Sequence, residues 1–447
     1  MSGAGEPLGS AAGEPPNLRA AAVLAADLRQ GRLNALDLMD ACLARIADRE
    51  REVRAWAFLD AERARDLARL ADRQRSLGLP LGPLHGLPIG VKDVFDTSDM
   101  PTEYGSETLR GRRPATDAAA VTVLRQAGAI IIGKTSTSEF GMYHPSQTRN
   151  PRDLSRSPGV SSAGSAAAVV DHMVPLALGT QHTASTTLPA SFCGAFAFKP
   201  SFGFTSMNGS NILVPRMAHV GLLARSVADL CLFAGAFEPV LADIVAADRA
   251  PRLALVKGPG WTTADGSARN AFEVFVGTLP VTLTTVELPE EFDSAVGVTL
   301  GLLNAHLAHR FGTAPDDVID RYCSPLQDGI AAGRGISAAS YLALDAQADR
   351  LIEQASRLLV EHEALITLSA PTEATRLEDG SGSGVMSMPW SLCGLPTISL
   401  PLLRGSHGLP IGVQLIGRQG RDAELLQIAG WLEKAACSNS KASGNNP

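Results

Sequence analysis

The chain has little that would hold a metal or staple a small fold. Its six cysteines stand far apart at 42, 193, 231, 323, 393 and 437. None forms a CxxC pair, which excludes a zinc ribbon and a disulfide framework. Aromatic residues are only 5% of the chain, too few for base-stacking platforms. Basic residues do not predominate: 39 Lys and Arg against 46 Asp and Glu give a formal net charge of −7. Electrostatics therefore give no reason to expect a nucleic-acid partner. No run of about 18 apolar residues exists to span a bilayer. The start, Met1–Pro7, lacks a basic segment followed by an apolar one, so no signal peptide is expected and the cytoplasm is the expected location. No Walker loop occurs. His362-Glu363-Ala364 begins like HExxH without a second histidine, and His306 and His309 share a helical face without a carboxylate partner. No metal and no cofactor is expected.

What is present is a globular composition, 45% hydrophobic and 19% charged over 447 residues, ample for a large core. Residues 1–17, rich in Gly, Pro, Ala and Ser, read as a loose tail, and 436–447 as another. Between them, 18–435 shows no linker, charge block or long repeat and reads as one domain. Asn34 is placed to cap a helix carrying Leu36, Met39, Leu43 and Ile46 at 3–4–3 spacing. Thr116 is placed to cap another, stopped by Gly128, after which Ala129–Ile132 reads as a short buried strand. Further strands at Leu253–Val256 and Leu365–Thr367 complete an alternation that points to an α/β layered protein. From Asn150 to Gly209 the chain is dominated by Ser, Thr, Gly, Ala and Pro with few charges. Small side chains packed around a site fit that composition, because they let backbone N–H groups approach a ligand.

For the chemistry there, Gly159-Val160-Ser161-Ser162-Ala163 falls one glycine short of the GxSxG elbow. A serine can also be activated by lysine. A lysine buried among apolar and hydroxyl groups loses proton affinity because its charged form is poorly solvated. Lys92, ending the apolar run Leu87–Val91, is the candidate; read from position alone it is an ordinary strand-end lysine.

An ordered series of blocks changes that reading. Gly86-Leu87-Pro88-Ile89-Gly90-Val91-Lys92-Asp93 is followed by Gly133-Lys134-Thr135, Thr148–Pro151, Ser157–Ala167 and Leu178-Gly179-Thr180-Gln181. Then come Pro189–Gly194, Phe198–Gly203, Ala224–Leu230 and Gly408–Gly417. Across roughly 18–435 the sequence resembles the amidase signature family, the Ser–cis-Ser–Lys amidohydrolases. The resemblance implies one α/β/α unit with a central mixed, twisted β-sheet covered by helices. It implies Lys92 as general base, Ser161 as the bridging serine preceded by a cis peptide bond, and Ser185 as nucleophile. The backbone N–H groups of His182, Thr183, Ala184 and Ser185 would form the oxyanion hole. Lys134 and Lys199 would be structural ties near the site.

The sequence also departs from that pattern. Val160 stands where a second glycine usually precedes the paired serines, and Ala163 and Ala184 replace other usual glycines. Leu188 stands where an arginine is typical, and Ala218 where aspartate is usual. His182 puts a titratable ring beside the hole. With Thr186 and Leu188 expected to line the substrate pocket, the missing arginine points to an amidohydrolase of small amides with a neutral or apolar acyl side. Two alternatives stay open: a catalytically degenerate scaffold serving as a binding or partner subunit, and an acyl-transferring amide synthase using the same triad. Transamidation on tRNA is known in the family, but this chain shows no basic patch for it. The expected partners are a small-molecule amide and, as is common in the family, a second copy in a homodimer, with no nucleic acid and no membrane.

Overall fold

Short apolar runs closed by glycine or a polar residue become strands, and amphipathic runs between them become the helices that cover them. The computed structural model describes residues 14–142 and 144–442. Among these are eleven strands: β1 (Trp56–Leu59), β2 (Pro88–Lys92), β3 (Ile130–Thr135), β4 (Leu176–Gln181), β5 (Phe196–Lys199), β6 (His219–Ala224), β7 (Leu253–Val256), β8 (Thr284–Val286), β9 (Ala364–Leu368), β10 (Thr397–Arg404) and β11 (Pro410–Gly417). They form one sheet in the order β1-β3-β2-β4-β6-β5-β10-β11-β9-β7-β8. The sheet is mixed. β3, β2 and β4 are parallel neighbours, as are β9, β7 and β8, and the pairs between β4 and β9 are antiparallel. The protein is thus α/β, a mixed sheet with helices, as expected. β2, β3 and β4 are buried along their whole length, which is why they read as nearly continuous apolar runs rather than alternating ones.

Helix Ala35–Val53 buries Leu38, Met39, Cys42, Leu43 and Ile46 against the core, with Leu36 only partly covered. Asn34 occupies its cap position but makes no capping bond; the N–H groups of Ala35 and Leu36 donate instead to the Asp72 carboxylate, at 2.8 and 3.1 Å. The cap expected at Thr116 lies two residues early, since helix Ala119–Gln126 starts from Ala118. β7 matches the strand expected at Leu253–Val256.

Both tails are shorter than the composition suggested. Pro16–Leu18 form a turn of 3-10 helix, where Asn17 is buried, donates to the His172 carbonyl and accepts from Arg225. A proline at the first position, and backbone carbonyls captured by the half-buried Arg225, order what local composition leaves open. At the other end, helix Asp422–Ala442 continues past residue 436. Residues 1–13 and 443–447 lie outside the described residues. No helix among the described residues is long and apolar enough to cross a membrane.

Helices Ala295–Phe311 and Ser324–Arg334 cross closely at Gly333, where an added Cβ would fall 1.9 Å from the Asn304 carbonyl oxygen. Gly333→Ala should therefore destabilise the protein by about 2 kcal/mol or more, because backbone must move. Gly297→Ala, in the same helix pair with nothing within 4 Å, should be neutral or stabilising by up to about 1 kcal/mol. Thermal denaturation of the two variants checks the contrast.

Candidate active site

β2 and β4 run parallel, with Ile89, Gly90 and Val91 opposite Leu176, Ala177 and Leu178, so their carboxyl ends open at one edge of the sheet. That edge is where α/β sheets commonly place ligands. Lys92 is the last residue of β2 and is fully buried. Its Nζ lies 2.7 Å from Ser161 Oγ, 2.8 Å from Thr180 Oγ1 and 3.1 Å from Ser162 Oγ. No carboxylate among the described residues forms an ion pair with it, and burial pushes its pKa well below the ordinary lysine value. A neutral amine has two N–H donors and one lone pair. Surrounded by three hydroxyls, it can donate twice and still accept a proton.

Lys134 shows what a tied lysine looks like. It sits equally buried on the neighbouring β3, but pairs with Asp93 at 3.2 Å and donates to the Phe95 carbonyl and to Thr102 Oγ1. Lys199 is fully buried and donates to the Pro200 carbonyl, 3.0 Å away; burial pushes its pKa down to about 7.

Ser161 and Ser162 immediately precede helix Ala163–Val170, which packs on the sheet through Ser165: its hydroxyl lies 2.7 Å from Thr135 Oγ1 and donates to the Leu178 carbonyl at 3.0 Å. The chain reaches them through Gly159, whose φ is +100° and whose Cβ, if present, would lie 2.8 Å from Pro189 Cα. Only glycine fits there. The peptide bond before Ser161 is trans, as are all those between described residues. The cis bond that the resemblance implied is therefore absent, and the bond keeps the form favoured by about 3–4 kcal/mol for a non-proline residue.

Ser185 lies in the loop between β4 and helix Thr187–Cys193. It lines the same cavity as Ser161, but no hydrogen bond joins the two hydroxyls. The N–H groups of Ala184 and Ser185 have no partner among the described residues. The loop itself is held from behind. Gln181 Oε1 accepts the N–H groups of Thr186 and Thr187 at 2.8 and 3.0 Å, and its Nε2 donates to Ser391 Oγ. Ser391 Oγ in turn donates to the Thr183 carbonyl at 2.6 Å, and Thr187 Oγ1 donates to Ser387 Oγ, which donates to Gln414.

The cavity, about 20 Å³, has an apolar side of Val94, Phe140, Met142, Leu213 and Leu303. Its polar side is Ser161, Thr180, His182, Ser185 and Asn211, and no Asp, Glu, Lys or Arg among the described residues lines it. Leu188 and Thr186, expected at the substrate pocket, do not line it. Leu188 is fully buried in a separate apolar cluster with Val160, Ala184 and Phe192, while Thr186 Oγ1 turns back to the Thr180 carbonyl. Helical phase is the reason: Leu188 enters the helix on the face that meets Phe192. Thr180 and Ser162, which complete the lysine's surroundings, lie within the Leu178–Gln181 and Ser157–Ala167 blocks, where nothing local marks them as contacts of Lys92. Asn211 lies outside every block.

A family model described as Amidase matches residues 37–426. Among curated proteins, the chain is 33% identical to one subunit of the glutamyl-tRNA(Gln) amidotransferase of Chloroflexus aggregans, over 90% of this chain and 93% of that protein. Among solved structures, it resembles an amidase with 29% identity and a TM-score of 0.84, covering 93% of this chain and 99% of that one. It also resembles the native peptide amidase of Stenotrophomonas maltophilia with 27% identity and a TM-score of 0.79, covering 94% and 97%. The expectation that excluded nucleic acid from the partners is corrected here: the curated relatives are subunits of an enzyme named for a glutamyl-tRNA. Net charge describes one chain's own surface, and one component of a complex can serve a nucleic acid without carrying a basic face itself.

If neutral Lys92 draws the proton that frees Ser185, the rate of Ser185 modification by a fluorophosphonate should rise with pH and level off above the lysine's pKa. Because burial lowers that pKa, the plateau should begin well below the range of an ordinary lysine. Lys92→Ala should slow the reaction by about 10²–10⁴-fold and remove the inflection. Intact-protein mass spectrometry across pH checks both outcomes.

Proposed function

The chain belongs to the amidase family and is an amide-cleaving enzyme, and from that premise we propose that it hydrolyses small amides with a neutral acyl side through an acyl-enzyme on Ser185. The observation that carries the reading is a cavity that no charged residue lines among the described residues, with the Lys92–Ser161 contact at its wall. Ser185 Oγ attacks the amide carbon while its proton passes to Ser161 Oγ, which gives its own proton to the Lys92 lone pair. Substrate binding has to draw the two serine hydroxyls together, as catalytic hydrogen bonds often tighten only in the complex. The oxyanion forms against the backbone N–H groups of His182, Thr183, Ala184 and Ser185. Collapse breaks the C–N bond, and the proton returns from Lys92 through Ser161 to the leaving amine. Water then enters by the same relay, and the acid leaves with Ser185 restored. Thr180 and Ser162 hold the lysine amine in place without neutralising it.

The name of the curated relatives favours a second reading. In it, the released amine passes to a glutamyl-tRNA held by partner subunits, and this chain performs only the cleavage. Ammonia release that depends on added partner subunits would favour that reading; release by the isolated chain would favour simple hydrolysis.

A carboxylate brought into the uncharged cavity finds no cation to pair with and loses its hydration. Propionamide should therefore show a kcat/KM at least about tenfold above that of succinamic acid, the tenfold corresponding to about 1.4 kcal/mol. The opposite order would overturn the neutral-acyl reading. Ser185→Ala should abolish both the fluorophosphonate adduct and turnover.

A further inference from the structure

Two residues that line the cavity each keep one side-chain atom with unused hydrogen-bonding capacity, and the two are of opposite kind. His182 Nε2 accepts the backbone N–H of Leu213 at 3.1 Å. A neutral imidazole with one nitrogen accepting must carry its proton on the other, so Nδ1 is an N–H donor. Burial holds the His182 pKa down to about 3, so the ring stays neutral throughout the working range. Nδ1 has no hydrogen-bond partner among the described residues, and the residue lines the cavity with Ser161 and Ser185.

Asn211 supplies the complementary atom. Its Nδ2 donates to the Phe140 carbonyl at 2.8 Å. A carbonyl can only accept, which fixes the orientation of the side-chain amide and leaves Oδ1 as the free end. Oδ1 is buried without a partner, although Asn211 is only 3% exposed and lines the cavity. Its backbone is pinned by a 2.9 Å hydrogen bond from its N–H to the Val94 carbonyl. Buried polar atoms without partners are uncommon in native proteins and call for an explanation, and at a residue that lines a cavity a ligand can supply the missing half.

We infer that His182 and Asn211 form a donor–acceptor pair that recognises a second, neutral amide group on the acyl side of the substrate, its carbonyl accepting from His182 Nδ1 and its N–H donating to Asn211 Oδ1. A carboxylate would satisfy the histidine but set its charge against the asparagine oxygen. An ammonium would satisfy the asparagine and leave the histidine N–H facing another donor. A secondary amide presents one acceptor and one donor without net charge, and so matches both. The inference rests on the amidase reading above and names the substrate class of that same site: N-acylated amino-acid amides rather than simple alkyl amides.

The test is direct binding in the Ser185→Ala background, so that turnover plays no part. Isothermal calorimetry compares N-acetyl-L-phenylalaninamide with hydrocinnamamide, which lacks only the acetamido group. The acetamido ligand should bind at least about tenfold more tightly. Adding His182→Phe or Asn211→Leu should bring the ratio to within about threefold, whereas His182→Gln, which can still accept from Leu213 and donate into the cavity, should keep part of the preference. Should Asn211→Leu fail to fold, as judged by thermal denaturation, the two His182 variants decide. Equal affinity for the two ligands, a ratio unchanged by the substitutions, or no binding of either ligand would overturn the inference. Fluorophosphonate modification of the parent reports separately on the nucleophile: a binding preference without a Ser185 adduct would sink the hydrolytic reading and leave this one standing.

Discussion

A lysine buried without a countercharge is the constraint on which the site depends. Ionised, Lys92 would have to give up its hydration for three hydroxyls, a poor exchange that favours the neutral amine. Lys134, one strand away and equally buried, has Asp93 beside it and a ladder of acceptors. The two residues share type, sheet and burial, and differ in what stands opposite. One ties the loop after β2 to β3, while the other is left able to take a proton. Burying Lys92 this deeply requires the fully covered strands on both sides of it, so the central sheet is itself part of the proton-transfer apparatus.

The nucleophile loop has a different dependence. Its outward face must keep N–H groups free, so it has to be held by its inward face. The polar chain through Gln181, Ser391, Ser387 and Gln414 does this, reaching from β4 to residues more than two hundred positions later. Buried networks of this kind fix one geometry because each unsatisfied member would be costly. Ser191 adds another tie by accepting the Gly412 N–H at 2.8 Å, again joining the middle of the chain to its end. The C-terminal strands are thus needed to position a serine that lies before the chain's midpoint.

That long reach also divides what was legible in the sequence from what was not. The alternation of apolar runs and glycine stops located β7, β9 and the strand ending at Lys92, because these are local properties. The ordered blocks pointed to Lys92, Ser161 and Ser185, and the structure sets Lys92 against Ser161 and puts both serines on one cavity. Leu188 was misplaced because its direction depends on helical phase and on Ala370, Ala374 and Leu409, which come from a distant part of the chain. Asn211 was missed for a similar reason. Its side-chain orientation is set by the Phe140 carbonyl, 71 positions earlier, and nothing near Asn211 in sequence announces that contact. Asn34 shows the same effect on a small scale, its expected capping role taken over by Asp72.

Three of the departures from the family pattern fall together in space. Val160, Ala184 and Leu188 pack in one apolar cluster with Phe192, behind the loop rather than in the cavity. The side-chain atoms added at Val160 and Ala184 pack against Leu188 and Phe192 there, so the replacements need not fill the space where substrate sits. In front of the loop, no charged residue lines the cavity among the described residues. That neutrality and the activation of Lys92 are two sides of one condition. A fixed carboxylate or a substrate carboxylate close to Lys92 would stabilise its ammonium form and raise its pKa, removing the lone pair that the relay needs. A fixed cation would keep the lysine neutral but would draw anionic substrates toward the base. A site that recognises its substrate through neutral donors and acceptors avoids both effects, and His182 and Asn211 are the groups this chain places to do so.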